Sequence, residues 1–325
     1  MRSKMIRLLI TATLLISSSE VASAQSAQWA PGKTVKIVVP FPPGGTADVV
    51  ARLLAQQVTQ AGGQQIIIEN KPGGGTVTGT EVVARSAPDG TTLLLMSNSF
   101  VINASLKSTL PYDPLTSFVP VCSLVYSPLV LAVANASPLQ TFAAFRAAAT
   151  VKPAVLSVAA VGPATTQHIA LEMLKRAAGI DFNYVPFPGG APAVTTLVGN
   201  HVSAALANYD EMKENLGSNL RALAVGAEAR IAALQDVPTL GELGFGAIIG
   251  AARFGLVVPA ATPPAAVEQM IGLFKASLEA RQVATKLDDL GLVRAVACGA
   301  DFGALLESQH GQYARAIKDA GIKPE

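Results

Sequence analysis

The sequence predicts an α/β protein made of two lobes of similar build. Three observations carry that expectation. Short apolar runs alternate with helix-period segments from residue 34 onward, the pattern of βαβ units and of a mainly parallel sheet covered on both faces. Each half of the chain repeats the order strand, Gly-rich loop, helix. The 325 residues suggest about two domains at roughly 150 residues each.

The elements follow in order. Val35 to Val39 is apolar apart from Lys36 and stops at Pro40, so it reads as a strand. Pro42-Pro43-Gly44-Gly45 is a turn and Thr46 an N-cap, after which Val49, Val50, Leu53, Leu54 and Val58 recur at helical spacing. Ile66-Ile67-Ile68 is the next strand, Lys71 to Gly75 a turn, Val82-Val83-Ala84 part of a helix, Pro88-Asp89-Gly90 a turn, and Thr92 to Met96 a strand.

Residues 114 to 145 hold no Asp, Glu, Lys or Arg. Pro114, Pro120, Pro128 and Pro138 interrupt them, which a lipid-facing helix would not tolerate well, so Val119 to Val125 and Leu129 to Ala134 read as two buried strands. The pattern then resumes. Val155 to Ala160 is a strand, Gly162 to Gln167 a loop, Ile169 to Ala178 a helix, Tyr184-Val185-Pro186 a short strand and Pro188-Gly189-Gly190 a loop. A helix through Val194, Leu197 and Val198 precedes strands at Val202 to Ala207, Leu220 to Val225 and Phe254 to Pro259. The remainder reads as helical, with Val267, Met270, Ile271 and Phe274 on one face and a final helix after Asp301.

Composition narrows the function. Half of the residues are hydrophobic and 14% are charged, which excludes a disordered chain. Lys and Arg number 24 against 22 Asp and Glu, so no basic excess exists to neutralise phosphates, and no nucleic-acid partner is expected. Arg2, Lys4 and Arg7, the apolar run Leu8 to Ile16, and Ala22-Ser23-Ala24 before Gln25 form a secretory signal peptide over residues 1–24. The apolar run is too short to cross ~30 Å of hydrocarbon. Cleavage leaves 21 basic and 21 acidic side chains, a neutral exported protein.

Catalytic and metal signatures are sparse. His168, His201 and His310 have no partners at metal-ligand spacing, and neither an HExxH nor a G-x-S-x-G motif occurs. Gly32-Lys33-Thr34 precedes a strand instead of following one, so it is not a phosphate loop; Gly73-x-Gly75-x-x-x-Gly79 lacks dinucleotide-site spacing and reads as a tight βα turn. Cys122 and Cys298 suit either a disulfide in an oxidising compartment or two buried thiols, and spacing does not decide. No cofactor or metal is expected. What remains is a set of loops that each feed a helix amino end: Gly44-Gly45-Thr46, Ser97-Asn98-Ser99, Gly162 to Thr166, and Gly189-Gly190. Such ends offer free N–H groups and partial positive charge, and so hold an anion without Lys or Arg.

The same loops carry a family resemblance. Ile37 to Asp48, reading IVVPFPPGGTAD, resembles the signature loop of the Bug (TctC-like) receptors, the extracytoplasmic solute-binding proteins of tripartite tricarboxylate transporters. The likeness continues through Glu69 to Gly75, Ala87 to Thr91, Leu110 to Pro114, Val185-Pro186-Phe187, Ala191-Pro192-Ala193 and Asp236 to Thr239, in the expected order over nearly the whole mature chain. It implies a two-lobed, type II-like periplasmic-binding-protein fold, with one lobe at about 30–128 plus 254–325 and the other at about 129–253. The two hinge crossings would lie near Ser127-Pro128 and near Phe254.

The resemblance further implies a monomeric periplasmic receptor, not an enzyme, for a small organic acid, with membrane transporter subunits as partners. An exported hydrolase and a ligand-sensing partner of a signalling protein are the alternatives. Ligand contacts carried over residue by residue are Phe41, Pro43, Gly44, Gly45, Thr46 and Asp48, then Ser97 and Asn98, then Gly162, Thr165, Thr166 and His168, then Gly189, Gly190 and Ala191, with Tyr209 and Asp210 as a strand-end polar pair. Asp48 is expected to cap loop amides or to receive an amino or hydroxyl group, unless it is an ordinary first-turn acid. Pro163 and Phe187-Pro188 depart from the family pattern in a way that implies a more apolar site, with room for aromatic or monocarboxylic acids.

Overall fold

A computed structural model describes residues 29–61, 64–151, 155–248 and 250–324. The expected signal peptide and its cleavage site lie outside the described residues. Strands β1 (Val35–Val39), β2 (Ile66–Asn70) and β3 (Thr92–Ser97) alternate with helices α1 (Thr46–Gln60), α2 (Val77–Ala84) and α3 (Ser99–Leu106). Then come β4 (Phe118–Ala134), α4 (Phe142–Val151), β5 (Ser157–Val161), α5 (Thr166–Ala178), β6 (Asn183–Phe187), α6 (Gly190–Val198), β7 (Ala204–Asn208), the one-turn α7 (Tyr209–Met212) and β8 (Leu220–Gly226). The chain closes with β9 (Ala251–Pro259), α8 (Pro264–Glu279), α9 (Arg281–Leu290), β10 (Val293–Cys298) and α10 (Ala300–Asp319).

The strands form two half-sheets joined by β4. In the first, the order β2-β1-β3-β9-β4 is completed by β10 on the far side of β4; in the second, β6-β5-β7-β4 is completed by β8. Each half-sheet packs its own helices, which gives the two lobes. Pairing is parallel in the outer βαβ units, β1 with β2 and β3, and β5 with β6 and β7. It is antiparallel wherever β4 or β9 takes part. The expected mainly parallel sheet is therefore a mixed one, because β9 returns from the second lobe and enters the first between β3 and β4.

The two expected strands of the uncharged stretch are one strand of 17 residues. Its first part pairs β9 and β10, and its second part β7 and β8. Pro128 sits at the change of partners, where its missing N–H costs no ladder bond that the strand needs. The next residue restores pairing, with Leu129 N–H donating to Gly250 O at 2.8 Å. There Gly226 and Gly250 touch: a Cβ on Gly226 would lie 2.5 Å from the Gly250 Cα. The expectation that residues after 259 are helical misses β10, which runs antiparallel to β4. Cys122 and Cys298 face each other across that pairing and are joined by a disulfide.

Alternation along the strands puts both faces to use. Val35, Ile37 and Val39 enter one core with Leu93 and Leu95, while Val38, Leu94 and Met96 enter another with Phe100 and Phe302. In the second lobe Val130, Ala132, Ala159 and Ala205 face a third cluster under α6. On α1, Val50, Leu54 and Val58 are fully buried against the sheet, fixing the helix so that its amino end points between the lobes.

Candidate functional site

The loop after β1 delivers α1. Gly44 has φ +88°, a left-handed conformation that favours glycine, and it turns the chain sharply after Pro42-Pro43. Gly45, rather than the expected Thr46, is the N-cap, and Thr46 is the first helical residue. The loop is held from behind by Asp48, whose Oδ2 accepts from Gly44 N–H at 3.0 Å and from Arg52 Nε at 2.9 Å. Its Oδ1 accepts from Asn70 Nδ2 at 2.9 Å. Burial opposes its ionisation, but the bonds from Arg52, the Gly44 amide and Asn70 outweigh it and hold the carboxyl below the ordinary aspartate value. Asp48 is thus a cap for a loop amide, one of the roles expected for it.

Facing this loop are the amino ends of α5 and α6. Thr165 caps α5, its Oγ1 accepting from His168 N–H at 3.3 Å and donating to Gly162 O at 2.9 Å. Gly189 caps α6. The three amino ends surround a cavity between the lobes of about 540 Å³, its open mouth included, with Phe254 and Ala252 of β9 also on its wall. Phe41, Pro43, Gly45, Thr46, Ser97, Thr165, Thr166, Gly189, Gly190 and Ala191 line it.

The other carried-over residues stand behind the walls. Gly44 and Asp48 are bonded to each other. Asn98 ties β3 to the far elements, accepting from Arg253 N–H at 2.8 Å and donating to the Tyr313 hydroxyl. Gly162 donates its N–H to Phe187 O, and the His168 ring stacks on Tyr184 at 5.0 Å. Tyr209 rests on Gly291, where a Cβ would meet its ring at 2.2 Å. Pro163 and Phe187-Pro188 line a neighbouring groove with Pro72 to Thr76, so the apolar character of the main cavity comes instead from Phe41, Pro42, Pro43, Val161, Pro192 and Phe254.

Asp210 is engaged by hydroxyls from both sides. Thr46 Oγ1 donates to its Oδ2 at 2.7 Å and Ser127 Oγ to its Oδ1 at 2.6 Å. The Thr46 hydroxyl also accepts from Asn208 Nδ2 at 2.8 Å, and Asn208 Oδ1 accepts from Gln167 Nε2 at 3.0 Å. A polar chain therefore runs from α5 through the end of β7 to the first turn of α1, bridging the lobes. Burial raises the Asp210 carboxyl above its ordinary value despite those bonds.

Sequence reasoning missed Gln167, Asn208 and Glu211 on the cavity wall, while Ser99, from the expected Ser97-Asn98-Ser99 loop, does reach it. Glu211 had a readable signal: Asn208-Tyr209-Asp210-Glu211 has the N-cap to N3 spacing of a capping box, and Glu211 Oε2 accepts from Asn208 N–H at 3.3 Å. Thr46, through its backbone and its hydroxyl, also favours the charged form of this carboxyl. Burial, then the charge of Asp210, push it up to about 8.

Comparison with known proteins agrees with this architecture. Residues 50–322 match the family described as "Tripartite tricarboxylate transporter family receptor". The chain is 30% identical to protein BugT of Bordetella pertussis over 322 residues, 98% of this chain and 99% of that protein. It superposes on the periplasmic binding protein BugD with a TM-score of 0.86 at 29% identity, covering 91% of this chain and 100% of that one. It also superposes on R. palustris Rpa4515 with adipate, with a TM-score of 0.86 at 28% identity over 91% and 99% of the two chains. The two-lobed fold, the cavity between the lobes and these likenesses together place this chain in the tripartite tricarboxylate transporter receptor family.

Proposed function

We propose that the chain is a monomeric periplasmic receptor that captures a small organic carboxylate between its lobes and presents it to the membrane subunits of a tripartite tricarboxylate-type transporter, with no chemistry on the ligand. The observation that carries this reading is the convergence of three helix amino ends, from α1, α5 and α6, on one cavity between the lobes of a receptor-family chain. Backbone amides there suit a carboxylate in a wall that offers no Lys or Arg among its described residues. That a family relative was solved with adipate supports the same ligand class.

In this reading residues 30–128 with 254–325 form one jaw and 129–253 the other, and export through the signal peptide releases a chain beginning at Gln25. The disulfide supports an oxidising compartment. Gly45, Thr46, Thr165, Thr166, Gly189 and Gly190 are the polar ligand contacts, while Gly44, Asp48, Asn98, Gly162, His168, Tyr209 and Asp210 hold the walls.

The test is a thermal-shift screen of the mature chain with succinate, adipate, malate and benzoate. A ligand at about 100 times its dissociation constant stabilises a fold by ~2.7 kcal/mol, a rise of roughly 5 °C for a chain of this size. Absence of any shift across the four acids would refute the reading.

A further inference from the structure

Among the described residues that line the cavity, Glu211 is the ionisable one. Its carboxyl sits against the two glycine loops assigned above to ligand binding. A Cβ on Gly45 would lie 3.3 Å from Oε1, and a Cβ on Gly190 would lie 1.8 Å from Oε2. Its Oε2 accepts from the Asn208 N–H at 3.3 Å, and Thr46, the first residue of α1, lies close enough to favour its charged form. Asp210 lies next to it in the chain, its own two oxygens held by Thr46 and Ser127.

Among the described residues no cation pairs with Glu211. On α7 the neighbouring titratable groups are Asp210 and Tyr209, whose ring rests on Gly291; Lys213 just beyond acts by its charge on Asp210, donates to Asp289 O at 2.5 Å and pairs with Glu214 at 3.2 Å. On α1 the charged pair is Asp48 with Arg52, turned toward Gly44 and Asn70. Helix α6 and strand β7, which pack on α7, carry no titratable side chain. Strand β4 brings Ser127 and Tyr126; the ring of Tyr126 lies under the Arg253 guanidinium, which itself donates to Ser123 Oγ at 3.1 Å.

An anionic ligand entering this cavity meets a carboxyl group at its wall. Two carboxylates in contact cannot both stay ionised at low cost, and one proton shared between them turns repulsion into a short O–H···O⁻ bond. We propose, on the carboxylate-receptor reading above, that Glu211 grips the ligand through such a proton: its carboxyl donates an O–H to a ligand carboxylate oxygen, so that the anion and one proton are held together. The proton balance follows. When Glu211 is already neutral the ligand binds with no net uptake; when Glu211 is ionised one proton is drawn from solvent for each ligand bound. Burial and the Asp210 charge favour the neutral form near pH 7, with the change-over at about 8, and a bound anion raises the group further. Glu211 is thereby a specificity-determining residue, favouring acids that can bring an acceptor oxygen to this point of the wall.

Isothermal titration calorimetry of the mature chain with succinate, adipate, malate and benzoate tests this between pH 7 and 9.5, in pairs of buffers with different ionisation enthalpies. The four acids are ionised throughout that range. The dissociation constant is expected to be level up to about pH 7.5 and to rise toward tenfold per pH unit above about 8.5, with proton uptake approaching one per ligand. Glu211→Gln keeps an N–H donor in the same shape and is expected to bind with a level pH profile and no uptake. Glu211→Ala, which removes the group, is expected to be level as well. Wild-type affinity that stays level to pH 9.5 without proton uptake would overturn the proposal, as would a Glu211→Gln protein that keeps the wild-type slope. Either result leaves the receptor reading standing, whereas binding of none of the four acids at any pH overturns both.

Discussion

Gly190 and Glu211 should be energetically coupled, and a double-mutant cycle measures by how much. Gly190 opens α6, and a methyl group there would stand 1.8 Å from Glu211 Oε2, 2.3 Å from Cδ and 2.5 Å from Oε1. All three distances are far inside van der Waals contact, and all three atoms belong to the free end of a side chain that can swing away. Gly190→Ala therefore ejects the Glu211 carboxyl from the Asn208 amide. Overpacking and lost hydrogen bonds of this kind cost about 1–3 kcal/mol. In a Glu211→Ala background the clash is gone and the ordinary benefit of alanine over glycine at a helix-compatible site returns, about 0.4–1 kcal/mol. The coupling energy is thus expected to be about 2 kcal/mol, read by urea or thermal unfolding of the four proteins, where 1 kcal/mol corresponds to about 2 °C for a chain of this length. Additive effects within about 0.5 kcal/mol would show that the carboxyl does not occupy this position, and would remove the geometric basis for its role in the cavity.

Other consequences are equally direct. Replacing Cys122 and Cys298 with Ser should lower stability by about 2–5 kcal/mol, seen as a lower melting temperature that reductant no longer changes. Thr46→Val removes the donor to Asp210 and the acceptor for Asn208, so it should cost about 1–3 kcal/mol in chemical denaturation. Asp48→Asn should cost about 1 kcal/mol at neutral pH. Because the folded-state carboxyl of Asp48 is held below its ordinary value, its contribution is present above that ordinary value and is lost as pH falls through the folded one. The gap between wild type and Asp48→Asn should therefore close on acidification, and a gap that widens would contradict the capping geometry.

The first lobe was largely legible because its signals are local. Val35 to Val39 ends at a proline, and Val50, Leu54 and Val58 fall on one helix face, so β1 and α1 need no distant partner to be recognised. Strand β4 was read as two because Pro128 looks like a breaker; only the arrangement of β7 to β10 reveals that the strand changes partners at that residue. Strand β10 was missed because Val293 to Cys298 is short, carries Arg294 and lies between helices, so its identity depends on β4, far away in sequence. The glycine loops of the cavity were found through backbone chemistry, which sequence states plainly. Gly44 and Asn98 are expected at the ligand through the family resemblance, whereas the structure shows Gly44 N–H donating to Asp48 and Asn98 Oδ1 accepting from the Arg253 N–H, bonds to residues distant in sequence or a helical turn away that no local pattern announces. Glu211 escaped because its side chain finishes in the other lobe's loop, a destination set by how the lobes meet.

The bond between Cys122 and Cys298 spans a sequence separation of 176, and β5 to β8 all lie inside that span. The second lobe is in effect a closed covalent ring threaded from the first. A single proteolytic nick in it, for instance at the exposed Arg230, separates no fragment. The two pieces stay attached through sulfur and the strand ladders hold them in place. On a gel the nicked receptor migrates as one molecule until it is reduced, and under an oxidising atmosphere a single cut leaves both lobes covalently joined.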